Sequence, residues 1–338
     1  PTERNANGRT RTGLYRLFIP AYESLEGFFD KYGHPVIDDP ENTIEGIDDE
    51  YVYTGAKTFL KNERDSLKND ASELNEVIRQ FPFTEDEAFR DSIEGSIFNV
   101  GQIYEQIEHN DELFPNPVVQ GNFVWKGGEK DTEVIFNPNP QGRFKVAWMP
   151  PADFRNQKKT VYGKRVAPHS AFGVGGVDSY DLDATVDGRG SKGALHLYNK
   201  FHMEHPSNMF VVEYAARPPL AKIFYEDVLM AAVFYGYPIL IENNKYGIAR
   251  YFESRGYDGY LMDRPQHLIS ASGMKSKTKG IPSNSQDVIQ AHAHAIEAYI
   301  HDHVGVNRES GEMGKMYFNK TLEDWIGYKI DNRTKFDL

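Results

Sequence analysis

Two short runs end on a carboxylate where an apolar strand should leave its sheet. In GVGGVDSYD, residues 173–181, the apolar stretch gives out at Asp178, and in PILIENNKYG, residues 238–247, it gives out at Glu242. A single acid in such a place is ordinarily a solvated strand end. Two of them, on neighbouring strands at matching depth, could share divalent cations. Carboxylate oxygens are hard donors that suit Mg²⁺ or Mn²⁺ without help from His or Cys. A few such groups can hold two ions about 3.5–4 Å apart for phosphodiester hydrolysis, one ion activating water and the other stabilising the leaving oxygen. Asp181, Asp183 and Asp187 follow in SYDLDATVDGRGSKG. Most of that stretch reads as a polar turn, with Asp183 the best additional ligand.

Other residues bear on a polyanionic substrate. Lys275, Lys277 and Lys279 are spaced by two in SGMKSKTKGIPSNS, and Arg217 lies in EYAARPP. Either could follow a phosphate backbone, or simply sit in a solvated loop. Asn243 and Asn244 are candidate caps for a helix starting near Gly247. His292, His294, His301 and His303 share one helical region, but spacing by two does not put a pair on one helix face, which argues against a zinc site. No G-x-x-x-x-G-K-[ST], G-x-S-x-G or H-E-x-x-H pattern occurs, so an ATP motor, a serine hydrolase elbow and a zinc-protease helix are not read in this chain. Cys is absent, which excludes disulfides and thiolate zinc sites.

The elements that must position the two acids follow from hydrophobic periodicity and turn residues. Strands are expected at 172–178, 193–200, 209–214, 238–242 and 259–262. Helices are expected at 219–235, 247–255 and 285–304. This βββαβαβα order matches a ribonuclease H-like mixed sheet flanked by helices, in which the first strand is central and the fourth lies beside it in parallel. Upstream, LYRLFIPAY (14–22) reads as a strand, 54–80 as an amphipathic helix, and Thr84 with Glu87 as a capping-box start of a short helix. Short strands separated by KGGEKD and NPNPQGR suggest a small antiparallel β insert or subdomain edge within 116–150. The division expected is 1–112 as an α/β remnant and linker, 113–167 as a β-rich insert and linker, and 168–338 as the ribonuclease H-like domain.

The 338 residues are 39% hydrophobic and 13% aromatic, ample for a core, with no apolar run long enough to span a membrane. A formal net charge of −12 argues against a generic basic nucleic-acid coat, though not against an enzyme that gathers acids around metal ions. The chain opens on Pro1 rather than Met and is expected to be a fragment or a processed product.

Taken in order, these motifs resemble the large terminase subunit of tailed bacteriophages, specifically its nuclease half with the end of its ATPase half. GVGGVDSYDLD resembles that family's first acidic motif and PILIENNKYG its second, and EYAARPP between them is also similar. GLYRLFIPAYESLEGFFDKYG and FPFTEDEAFRDS resemble the end of the ATPase half and its link to the nuclease. The similarity covers most of residues 12–110 and 170–338. It implies a two-metal DNA endonuclease that cuts concatemeric double-stranded DNA around genome packaging, in the host cytoplasm during infection. Asp178 and Glu242 then match the first two catalytic acids, and Asp337 in NRTKFDL matches the third, with Asp331 and Asp287 as substitutes. The implied partners are DNA, the portal protein, the small terminase subunit and the ATPase half. Two other readings stand beside it: another ribonuclease H-like enzyme, such as a transposase or junction resolvase, and a non-catalytic docking or regulatory module of a packaging motor.

Overall fold

Strand and helix positions follow the apolar runs, and Gly, Pro and Asn mark where they stop. The computed structural model describes residues 17–47, 50–67, 71–88, 98–180, 192–243, 246–265, 279–282, 286–307 and 310–328. The chain divides into two units, Pro1–Gly95 and Ser96–Leu338. The division falls inside the region expected to run from 1 to 112.

In the first unit, β1 (Ile44–Glu45) and β2 (Tyr51–Val52) form a short antiparallel pair, followed by α1 (Ala56–Ser66), α2 (Ala71–Gln80) and α3 (Glu85–Ala88). The single helix expected over 54–80 is thus two. Leu67 closes α1 by donating back to the Arg64 and Asp65 carbonyls, and Asn69 and Asp70 are residue types that compete with helical bonding and favour a fresh start. The strand expected over LYRLFIPAY is not formed where the structure describes it. Residues 17–20 join no strand and Ala21–Glu23 makes one 3-10 turn entered from Pro20, which has no N–H to give a ladder. Thr84 Oγ1 accepts from the Glu87 amide at 3.3 Å, as expected of a cap. The Glu87 carboxylate reaches back to accept from the Phe83 amide, one residue before Thr84, and is also gripped by both terminal nitrogens of Arg64 at 2.9 and 2.7 Å.

The second unit begins with α4 (Val100–Glu112) and is built on one seven-stranded sheet. Its strands are β3 (Val119–Trp125), β4 (Val134–Pro138), β5 (Phe144–Val146), β8 (Gly173–Asp178), β9 (Gly193–Asn199), β10 (Met209–Ala216) and β11 (Ile239–Ile241). A separate hairpin joins β6 (Lys159–Val161) to β7 (Lys164–Val166) through Tyr162 and Gly163, both at positive φ. The sheet order is β11-β8-β9-β10-β5-β3-β4. Only β11 and β8 are parallel, and the other neighbours are antiparallel. The strands expected within 116–150 therefore form, but they complete the main sheet rather than a sheet of their own.

Helix α5 (Ala221–Tyr235) covers one face of this sheet. It is apolar almost all round, as a helix buried on every side must be, and it stops at Gly236 in the left-handed conformation. Its Phe224 packs against Tyr214 of the sheet and Tyr180, and α6 (Gly247–Ser254) lies beside it. Gly173 and Gly175 leave room for the segment that follows α5 into β11, because a Cβ there would come within 2.2 Å of the Tyr237 ring and 2.5 Å of the Ile239 side chain. The opposite face carries α7 (Gln286–His303) and α8 (Asn319–Gly327). Tyr299 of α7 packs on Tyr198 and Phe210, and Trp325 of α8 packs on Phe210. Helix α4 joins α8, with Asn110 donating to the Met316 carbonyl and to Asn319 Oδ1, both at 2.8 Å.

Both edges of the sheet are partly covered. Along β11 the strand expected at 259–262 appears as a single bridge, Ile239 to Leu261, and Ile281 adds a second bridge at Glu242. At the other end, Asn156 clasps β4 with its side-chain amide. It accepts from the Val134 N–H at 2.8 Å and donates to the Val134 carbonyl at 2.9 Å.

Candidate active site

The parallel pairing of β11 with β8 fixes where the two acids stand. Ile241 pairs with Val177, and the Glu242 amide donates to the Val177 carbonyl at 3.0 Å. The next step of the register sets Glu242 abreast of Asp178, on strands about 4.8 Å apart. Glu242 is no frayed strand end. Its other flank bridges to Ile281, and the Asn243 amide donates to the Ile281 carbonyl at 2.9 Å. Gly280 allows that strap to approach: it has φ +73°, and a Cβ there would lie 2.2 Å from the Ile241 carbonyl oxygen.

Side chains alternate across a strand, and directly paired residues share a face. Asp178 pairs with Ala194, and Gly176 pairs with His196, which pairs in turn with Glu213. Asp178, His196 and Glu213 therefore face α7 and α8, away from α5. Glu242 faces the same way, since its charge is felt by His292 of α7. Burial lowers the His292 pKa and Glu242 opposes that shift. Both acids are half-buried. No protein-family model matches the chain and no curated protein matches its sequence.

The basic candidates separate. Arg217, just past β10, lies over the Tyr180 ring at 4.4 Å. Tyr180 is two residues beyond Asp178 and is fixed by its hydroxyl, which donates to the Pro218 carbonyl at 3.0 Å. Strands β8, β10 and β11 run in one direction, so Arg217 stands at the same end of the sheet as the two acids. Lys279 is partnered within the chain. Its ammonium donates to the Leu261 carbonyl at 2.9 Å and pairs with Asp263 at 2.8 Å. Nor does Asn243 cap α6 as expected: the N-cap is Tyr246, with no side-chain bond, and Asn243 reaches the Lys279 carbonyl at 3.4 Å. Asp287 is exposed in the first turn of α7.

Asp181, Asp183, Asp187, Asn244, Lys275, Lys277, Asp331 and Asp337 lie outside the described residues. Among the described residues no three metal-capable side chains cluster. The pair Asp178 and Glu242 fits hard divalent cations by donor type, by shared face and by register.

Sequence reading missed a buried polar chain on the same face. Glu213, 2% exposed, accepts from Lys145 Nζ at 2.8 Å and from Thr321 Oγ1 of α8 at 2.6 Å. The Thr321 hydroxyl spends its proton on Glu213, so His196 Nε2, 2.9 Å away, must be the donor to it. Burial holds the His196 pKa below the usual histidine range, which keeps that ring neutral. Behind the sheet, Asp227 is held by Arg143 at 2.7 and 2.9 Å and by the Tyr214 hydroxyl at 3.1 Å. Burial pushes the Asp227 carboxyl up, and Arg143 pulls it back.

Proposed function

We propose that this chain is a metal-dependent DNA endonuclease of ribonuclease H-like fold, the nuclease part of a phage packaging terminase. The observation that carries the reading is the placement of Asp178 and Glu242, abreast on adjacent parallel strands and turned to one face at one end of the sheet. The strand order supports it: β8 lies inside the sheet, β11 runs parallel on one flank, and β9 and β10 follow as an antiparallel run on the other. The resemblance of the GVGGVDSYDLD and PILIENNKYG motifs, in that order, supports the terminase assignment.

Asp178 and Glu242 would hold Mg²⁺ or Mn²⁺, with Asp337 or Asp183 as the further carboxylate. Bound there, two such ions supply Lewis acidity and a lowered pKa for water. The chain's own part is to fix the two carboxylates. The ladder to β8 and the strap at Gly280–Ile281 hold Glu242 in place, so little reorganisation accompanies substrate arrival. Arg217, held on Tyr180, provides positive charge at the same end of the sheet for a phosphate beside the cut. No described helix is long and apolar enough to cross a membrane. The substrate proposed is concatemeric double-stranded DNA in the infected host cytoplasm, and the proposed partners are the portal protein, the small terminase subunit and the ATPase half.

Cleavage of supercoiled plasmid with Mg²⁺ or Mn²⁺, comparing the chain with Asp178→Ala and Glu242→Ala, tests this. Cutting that each substitution lowers by about 10³-fold or more is expected for loss of an ion-holding group. An inert parent chain, or variants that cut as well as the parent, would overturn the enzyme reading in favour of a docking module.

A further inference from the structure

On the α5 side of the sheet two cavities of about 740 Å³ each adjoin. The first lies between the opening turns of α5 and α6 and is lined by Leu220, Lys222, Tyr225, Tyr246, Arg250 and Tyr251. The second is also lined by Lys222 and Tyr251, so the two make one groove, and it runs on to Lys130, Arg143 and Arg255. The cations along it differ. Arg143 is neutralised by Asp227, and Arg255 by Glu226 and Asp131. Lys130, Lys222 and Arg250 are exposed and make no ion pair with another described residue. Three such cations along one groove stand out on a chain of net charge −12. Apolar and aromatic surface lies among them: Tyr246 is 42% exposed beside Arg250, and Leu220 is 51% exposed beside Lys222.

The groove opens at the end of the sheet that carries the acids. Helix α5 follows β10 and α6 follows β11, and both strands run parallel to β8, so the first turns of both helices stand at the end where Asp178 and Glu242 lie. A direct link is present: the Tyr225 hydroxyl, in the groove wall, donates to the Tyr180 carbonyl at 2.8 Å, two residues past Asp178. The acids face one side of the sheet and the groove lies on the other, so a polyanion crossing that end meets both.

We propose that this groove holds the backbone of the DNA duplex flanking the cut, with Lys222 and Arg250 each on a phosphate and Tyr246 packed against the sugar edge. The proposal rests on the nuclease reading above and adds the path of the substrate. A duplex presents one charge per about 1.7 Å of axis, so cations placed along a groove can meet successive phosphates, each displacing counterions.

The test is anisotropy of a fluorescein-labelled 20-base-pair duplex, in EDTA so that no cutting occurs, over a series of salt concentrations. For Lys222→Ala with Arg250→Ala, affinity should fall about tenfold or more, and the log–log salt slope should shrink by about 2, close to one for each phosphate no longer neutralised. Lys222→Arg with Arg250→Lys should restore the slope, and Tyr246→Ala should weaken binding with the slope unchanged. A double alanine variant with the parent's affinity and slope overturns the proposal, as does a parent chain that does not bind the duplex. Failure of the nuclease reading looks different: plasmid cutting is absent or indifferent to Asp178→Ala, while groove binding in EDTA persists.

Discussion

Replacing Glu213 by Leu should loosen α8 from the sheet at a cost of about 2–4 kcal/mol. Glu213 is 2% exposed and accepts two hydrogen bonds, from Lys145 at 2.8 Å and from Thr321 at 2.6 Å. A bond to an ionised acceptor contributes about 1.5–3 kcal/mol, but the two shares are unequal. The Lys145 side chain is 40% exposed, so water takes over most of what it loses. Thr321 is 2% exposed, and its hydroxyl would be left buried without its acceptor, a penalty of about 1–3 kcal/mol. Glu213→Gln separates the two. Its amide oxygen can still accept from Thr321, so only the ionic share with Lys145 is lost, about 1 kcal/mol or less. Adding Thr321→Val to Glu213→Leu removes the stranded hydroxyl but leaves the His196 Nε2–H without its acceptor, so it should recover only part of the loss. Urea unfolding followed by tryptophan fluorescence reads the series, since Trp325 lies on α8 itself. With a slope of about 1–3 kcal/mol per molar urea, the Leu variant should unfold roughly 1 M or more below the parent. A Leu variant within about 0.5 kcal/mol of the parent, or a double variant no better than the single, would refute the view that this chain of bonds seats the helix.

The remaining predictions concern pH and the strap beside Glu242. His196 is buried with its pKa held below the ordinary value of about 6.5, so below that pH the unfolded chain binds the extra proton and the folded chain does not. Stability should therefore be fully present above about pH 6.5 and decline as the pH falls below it, by up to about 1.4 kcal/mol per unit for this one ring. His169 and His292 shift in the same direction. His196→Gln keeps a donor to Thr321 without the titration, and unchanged pH dependence of its unfolding midpoint would count against the assignment. Gly280→Ala places a Cβ 2.2 Å from the Ile241 carbonyl at φ +73°. It should cost more than about 1 kcal/mol and release the strap, seen as faster hydrogen exchange of the Asn243 amide; parent-like exchange would show that the strap does not clamp Glu242.

Much of the frame around the two acids could be read from residue order. β8 and β11 are apolar runs closed by turn residues, and α5 is a long apolar helix ended by Gly236 and followed by Pro238, so each signal is local. The pairing of Glu242 with Asp178 followed once the strand order was assumed. Helix α4 was not expected, because its buried face carries Gln102, Gln106 and Asn110, whose amides bond to backbone around 304–316 in place of an apolar stripe. Helix α8 is short and starts without a side-chain cap. The chain from Lys145 to His196 was invisible for a different reason. Its links join residues separated by 68, 108 and 125 positions, and nothing local in the sequence distinguishes a threonine that will meet a buried carboxylate.

The Asn156 clasp has a bearing on how the protein behaves at high concentration. An outer strand with unsatisfied amides invites a second molecule to add a strand of its own, and repeated addition leads to fibrils. Here the side-chain amide of Asn156 imitates one step of a neighbouring strand at Val134, and four residues on Pro138 has no N–H to offer an incoming chain. The far side is shielded by the bridges to Leu261 and Ile281. Each flank is thus covered in part, and Asn156→Ala, which strips the amide from Val134, would lengthen the open stretch of β4.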